Sequence, residues 1–212
     1  MYFKDRPDAG KKLADQLKKY KKNPETVVIA LPRGGLVTGY EVAKKLKLPL
    51  DIIVSKKIGA PGDPELAIGS VNMDGQVLID QDQLNLFNIS QDYIDQQAII
   101  LKKEIKQKLI KLRGTGQIPS YRHKTVIVVD DGVATGYTMK AAINYLKKQP
   151  VKKIVLAVPV GPSGTIEALK KEVDDLICLS TPAMFMAVGA FYENFEQITD
   201  EECRQLLKKA KK

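Results

Sequence analysis

Several kinds of residue are scarce in this chain, and each shortage narrows what it can do. Of 212 residues only Cys178 and Cys203 are cysteines, one in a strand pattern and one in a terminal helix pattern. Two such cysteines build neither a disulfide framework nor a metal motif, so a reducing cytoplasm is the expected setting. His123 is the single histidine, which excludes a multi-histidine metal site. No apolar run approaches the roughly 20 residues of a membrane span, and the opening Met-Tyr-Phe-Lys-Asp-Arg lacks a signal-peptide core. No membrane partner is expected. The formal charge is +9, which invites a nucleic-acid reading. The excess, however, is mostly lysine scattered over helical faces, as in Lys18, Lys19, Lys21 and Lys22, with little arginine and no interleaved aromatics. Solvated lysine faces account for it better than a specific nucleic-acid site, and they would also attract a small polyanion. No repeat or low-complexity linker divides the chain, so residues 1–212 read as one domain large enough to bury a core.

What is present centres on Val126-Ile127-Val128-Val129-Asp130-Asp131-Gly132-Val133-Ala134-Thr135-Gly136-Tyr137-Thr138. Four β-branched apolar residues in a row describe a strand buried on both faces of a parallel sheet. Two carboxylates follow where the strand leaves the sheet, the edge at which α/β folds bind ligands. The Gly- and Thr-rich loop after them can turn backbone N–H groups inward, and a helix N-terminus behind it favours an anion. Such a combination suits a ligand with both a phosphate and sugar hydroxyls. Taken apart, its pieces are also those of an ordinary strand end with solvated acids.

The whole stretch resembles the phosphoribosyl-diphosphate (PRPP) signature of the type I phosphoribosyltransferases. The resemblance implies an α/β fold: a mainly parallel sheet flanked by helices, with a hood and an inserted long helix. It implies that Asp130 and Asp131 hold the ribose hydroxyls and that Ala134, Thr135, Gly136, Tyr137 and Thr138 wrap the 5′-phosphate. The implied chemistry is attack of a nitrogen nucleophile, such as a nucleobase, on C1 of PRPP with release of pyrophosphate. Mg²⁺ is the implied cofactor, bridging pyrophosphate and ribose oxygens beside Asp130 and Asp131. A PRPP-sensing regulator without turnover is the rival reading.

Elsewhere the chain reads as alternating helices and strands. Residues 8–22 are expected to be helical, with Asp8 as N-cap and Asn23-Pro24 as the stop. Thr26 to Leu31 is a buried strand ending in Pro32-Arg33-Gly34-Gly35. Consecutive glycines let N–H groups approach a ligand, and Arg33 can fork onto phosphate oxygens. Alone, that corner is a plain strand-to-helix turn; the resemblance places a pyrophosphate-binding loop there, often with a cis non-proline peptide. The helix after it contains Gly39, suited to close approach to the sheet. Leu50 to Val54 is a second strand, running into Lys56 and Lys57, which face either the pyrophosphate or water.

Residues 58–70 are dense in glycine and proline and read as a loop that is neither strand nor helix throughout, poorly ordered without ligand. The resemblance makes them a mobile hood loop. Asp74-Gly75 marks a hairpin turn. From 81 to 122 the pattern departs from the core fold: Ser90 caps a helix with the stripe Ile94, Ala98, Leu101, Ile105, Leu109 and Leu112, ending at Gly114. This insertion either covers the active site or joins subunits, as in a homodimer. Ile154 to Val158 and Leu176 to Leu179 are further strands, Ser163 is an N-cap candidate, and residues 182–212 form a C-terminal hood and tail. In the tail, Thr199 and Glu202 make a capping box. The hypoxanthine and guanine branch of the resembled family has an Asp where Ala134 stands, whereas the adenine branch has Ala and uses a loop Glu. Glu65 is therefore the candidate group acting on the acceptor, with an ordinary loop acid as the alternative.

Overall fold

In a computed structural model, which describes residues 1–117 and 119–211 and residue 65 by its backbone alone, the signature strand lies at the centre. This strand, β6 (Thr125–Val129), is fully buried. It pairs in parallel with β1 (Thr26–Ala30) on one side and β7 (Lys153–Val160) on the other. With β2 (Leu50–Ile52) and β8 (Asp175–Ser180) at the edges, the five-stranded parallel sheet runs β2-β1-β6-β7-β8. Apolar β-branched runs with no polar face can only sit inside such a sheet, where helices cover both faces. The covering helices include α1 (Arg6–Gln16), α2 (Gly34–Leu46), α5 (Tyr137–Lys147) and α6 (Ser163–Lys170). At Gly39 of α2 an added Cβ would stand 2.8 Å from the Ala30 Cβ, so glycine does permit the close approach.

Two helix starts differ from expectation. Helix α1 is capped by Asp5, whose carboxylate accepts the Asp8 N–H at 2.7 Å. It ends at Gln16 rather than 22, because a 3-10 turn at Lys18–Tyr20 carries the chain on. Asp8 instead receives Lys12 Nζ at 2.7 Å within the helix. Ser163 begins α6 without capping it; Pro162 occupies the cap position.

The largest correction concerns residues 58–70. They form β3 (Lys56–Ala60) and β4 (Asp63–Val71), which with β5 (Val77–Ile79) make a three-stranded antiparallel sheet. Proline and glycine fit because the irregularities fall where they stand. Ala60 pairs with Asp63 across Pro61-Gly62, and Gly62 has φ 81°, the pattern of a tight turn. Register shifts on both sides of Gly59 absorb Pro64, whose Cα would lie 2.6 Å from a Cβ at Gly59. The hairpin at Asp74-Gly75 forms as read, with Val71 opposite Val77 and Gly75 at φ 84°.

Residues 81–122 supply α3 (Gln81–Leu86) and α4 (Gln91–Arg113). Ser90 caps α4, accepting the Tyr93 N–H at 3.3 Å, and Gly114 ends it in the left-handed conformation. Its stripe is apolar packing: Ile94, Ile105, Leu109 and Leu112 are buried, and Ala98 and Leu101 pack against the same core. Helix α4 lies on β3 and on α7 (Asp200–Ala210), where Lys108 and Lys111 both pair with Asp200. Thr199 and Glu202 form the expected capping box of α7. Residues 182–197 are irregular apart from a 3-10 turn at Val188–Phe191. They pack Phe191 and Tyr192 on Phe3, so the N-terminal residues meet the 182–197 segment beside Val160 at the end of β7. Among the described residues no helix is long and apolar enough to cross a membrane.

Candidate active site

Pairing in register brings two strand ends together that lie about a hundred residues apart in the chain. Ala30 stands opposite Val129, and Leu31 N–H donates to Val129 O at 3.0 Å. Pro32 to Gly35 therefore leave the sheet beside Asp130 and Asp131. The peptide between Pro32 and Arg33 is cis. A Cβ on Gly34 would stand 1.8 Å from Asp131 Oδ2, and one on Gly35 would stand 2.4 Å from Asp130 Oδ1. Both glycines are thus required by the acid pair itself, since no side chain fits between.

The two carboxylates have different surroundings. Asp130 Oδ1 accepts the Asp131 N–H at 2.8 Å. Burial first, and the neighbouring Asp131 carboxylate second, raise the Asp130 carboxyl well above the usual range, with Arg6 acting in the opposite direction. Asp131 Oδ2 accepts Arg6 Nε at 2.6 Å, and its backbone oxygen accepts the Tyr192 hydroxyl. Arg6 also donates through Nη1 to Glu196 O at 2.7 Å and lies 3.7 Å over the Phe195 ring.

Beyond the pair, residues 132–138 curl around a cleft of about 210 Å³ lined by Asp130, Thr135, Thr138 and Val188, among others. Gly136 has φ 83° and occupies the N-cap position of α5, so the loop delivers the amides of that helix N-terminus to the cleft wall. Ala134 and Thr135 are exposed, and the Thr165 hydroxyl donates to Ala134 O at 2.9 Å. The Tyr137 ring faces away from this cleft, toward Asp80 and Lys140. Its hydroxyl bonds the Asp80 carboxylate at the start of α3, which lowers Asp80; burial, and then Asp80, push the Tyr137 phenol up to about 12. The cleft thus has loop and helix-terminus backbone and two threonines on its wall, with Asp130 at its edge.

The remaining sequence candidates divide. The Arg33 side chain is exposed and lines a separate cavity of about 370 Å³ with Lys111, Thr199, Asp200, Glu201 and Arg204. Lys56 pairs with Glu104 of α4, both about two-fifths exposed; such surface pairs are worth about 1 kcal/mol or less, so Lys56 is lightly held. Lys57 is half-buried on β3, opposite Ser70. The Glu65 side chain lies outside the described residues. Sequence reading missed Arg6, Tyr192 and Phe195. Nothing local joins residue 6 to residue 131; the only available signal was the concentration of aromatics at 185–195.

Among the described residues no group of three or more His, Cys, Asp or Glu side chains could hold a metal by itself. Asp130 and Asp131 are the carboxylates at this edge that could hold Mg²⁺ together with substrate phosphates, since that ion is commonly held by one or two carboxylates plus phosphate oxygens.

Comparison with known proteins agrees with this geometry. The phosphoribosyl transferase domain family matches residues 3–195. A Mycobacterium tuberculosis H37Rv protein named "Putative phosphoribosyl transferase Rv0571c" is 38% identical over 212 residues, covering 98% of this chain and 47% of its own length. The chain thus spans about half the length of the curated relatives it matches. The crystal structure of TT1426 from Thermus thermophilus superposes with a TM-score of 0.80 at 35% identity, covering 98% of both chains. With the signature loop, the acid pair and the glycine corner converging at one sheet edge, the chain belongs to the phosphoribosyl transferase family.

Proposed function

We propose that the protein binds PRPP and transfers its 5-phosphoribosyl group to a nitrogen nucleophile, a nucleobase in the first instance, releasing pyrophosphate. The observation that carries this reading is the acid pair between the 132–138 cleft and the Gly34-Gly35 corner. A ligand spanning those features would be anionic at both ends with a diol between. In this reading the amides and hydroxyls of residues 134–138 hold the 5′-phosphate, Asp130 and Asp131 hold the ribose hydroxyls, and Gly34 and Gly35 offer amides to pyrophosphate. Lys56 and Lys57 are the proposed cations on the pyrophosphate side; Arg33, whose exposed side chain lines the neighbouring cavity with α7, would join them by swinging toward the ligand. Mg²⁺ bound with PRPP, beside Asp130 and Asp131, supplies positive charge that offsets the charge developing on pyrophosphate.

The acceptor nitrogen forms a bond to C1 as the bond from C1 to the pyrophosphate oxygen breaks, and that electron pair leaves with pyrophosphate. The protein's contribution is to fix the sugar and both anionic ends, so that positioning and electrostatics lower the barrier. The proton lost by the acceptor goes to a base, for which Glu65 is proposed from its place on β4. Pyrophosphate release from PRPP and Mg²⁺, followed across a panel of bases and amines, tests the transfer. Release stimulated by one acceptor supports it. PRPP binding with no acceptor-dependent release would instead favour a PRPP sensor.

A further inference from the structure

We propose that Arg6 is a positioning residue of the acid pair: it holds one oxygen of Asp131 and ties that carboxylate to the C-terminal segment, fixing the pair in the arrangement that receives the ribose hydroxyls. The proposal rests on the PRPP reading above and adds a residue to it. Arg6 is 7% exposed and sits at the first position of α1, where the Asp5 cap and Pro7 fix the start of the helix. Its fork makes two bonds to different elements, Nε to Asp131 Oδ2 at 2.6 Å and Nη1 to Glu196 O at 2.7 Å, with Phe195 at 3.7 Å from its Cζ. A lysine point charge cannot make both bonds and stack as well.

The carboxyl groups of the pair also lie within hydrogen-bonding reach of each other, while Asp130 Oδ1 accepts the Asp131 N–H and Asp131 Oδ2 accepts Arg6. Arg6 therefore sets where the Asp131 carboxylate stands against its neighbour. Gly34 is part of the same construction, since a Cβ there would lie 2.7 Å from Arg6 Nε as well as against Asp131. The segment that carries Glu196 is anchored in turn: Phe3 N–H donates to Phe191 O and Glu193 N–H to Phe3 O, both at 2.9 Å. The diol site, the N-terminus and the C-terminal segment are therefore joined through one side chain.

Charge follows geometry. The groups facing the pair are Arg6 from α1, the Tyr192 hydroxyl from the C-terminal segment and each aspartate's neighbour, while α2 presents only Gly34 and Gly35. Arg6 is thus the only cation recorded against the pair among the described residues.

The test compares wild type with Arg6→Gln and Arg6→Lys by calorimetry with Mg²⁺-PRPP, ribose 5-phosphate and pyrophosphate. For Arg6→Gln, affinity for the two ribose ligands should fall about tenfold while pyrophosphate changes little, a selective loss that a general loss of structure would not give. Arg6→Lys keeps a positive charge without the fork; it should leave ribose binding weakened, which isolates positioning from charge and serves if Arg6→Gln does not fold. Unchanged ribose binding in Arg6→Gln, equal losses for all three ligands, or full recovery of ribose binding in Arg6→Lys overturns the proposal. Wild-type protein that binds none of the three ligands overturns the PRPP reading instead.

Discussion

A carboxyl wedged between a strand end and Gly35 resists ionisation, and Asp130 has a second carboxylate beside it. Its proton affinity is raised in the folded chain, so the folded state binds a proton more tightly than the unfolded state does. The favourable contribution is therefore present below the ordinary carboxylate value of about 4 and is lost as pH rises through the raised folded value. Asp130→Asn keeps the acceptor for the Asp131 N–H and removes the charge. The ligand-free mutant should melt above wild type at pH 7, with the gap closing toward pH 4; each kcal/mol gained corresponds to about 2–4 °C. Equal melting temperatures across that range would mean that Asp130 ionises freely. Gly34→Ala should act in the other direction. Its Cβ overlaps Asp131 Oδ2, so the acid pair must shift, costing about 1–3 kcal/mol as overpacking does. Calorimetry should show PRPP affinity reduced at least tenfold, and a mutant binding like wild type would show the corner to be slack.

Element by element, legibility depended on how local each cause is. Strand β6 was readable because five consecutive buried positions leave no other arrangement for Thr-Val-Ile-Val-Val. Helix α4 was readable because its cap, its stripe and its terminal glycine all lie within the segment. The 58–70 hairpin was not, since glycine and proline density marks loops, while here each sits at a turn or a register shift. Nor was the Arg6–Asp131 pair, which joins positions 125 residues apart. Order in the hairpin has a measurable consequence. Limited proteolysis of ligand-free protein should spare residues 58–70, because paired strands bend poorly into a protease cleft. Cleavage there that PRPP and Mg²⁺ suppress would restore the expectation of a mobile loop.

At the scale of the molecule, the parallel sheet does the collecting. Placing β1 beside β6 sets the glycine corner against the acid pair, and the order β6-β7 sets the Thr165 hydroxyl of α6 on the 132–138 loop. The N-terminal segment and residues 192–195 then meet at the pair, where Arg6 and Tyr192 bond Asp131 and Phe195 stacks on Arg6. The central claim is that this junction binds PRPP through Asp130 and Asp131. Titration calorimetry with Mg²⁺ and PRPP tests it most directly, on wild type, Asp130→Asn and Asp131→Asn. Each carboxylate should supply charge-assisted hydrogen bonds of about 1.5–3 kcal/mol, so each mutant should bind roughly ten- to a hundredfold more weakly than wild type. Unchanged affinity in both mutants would contradict the claim.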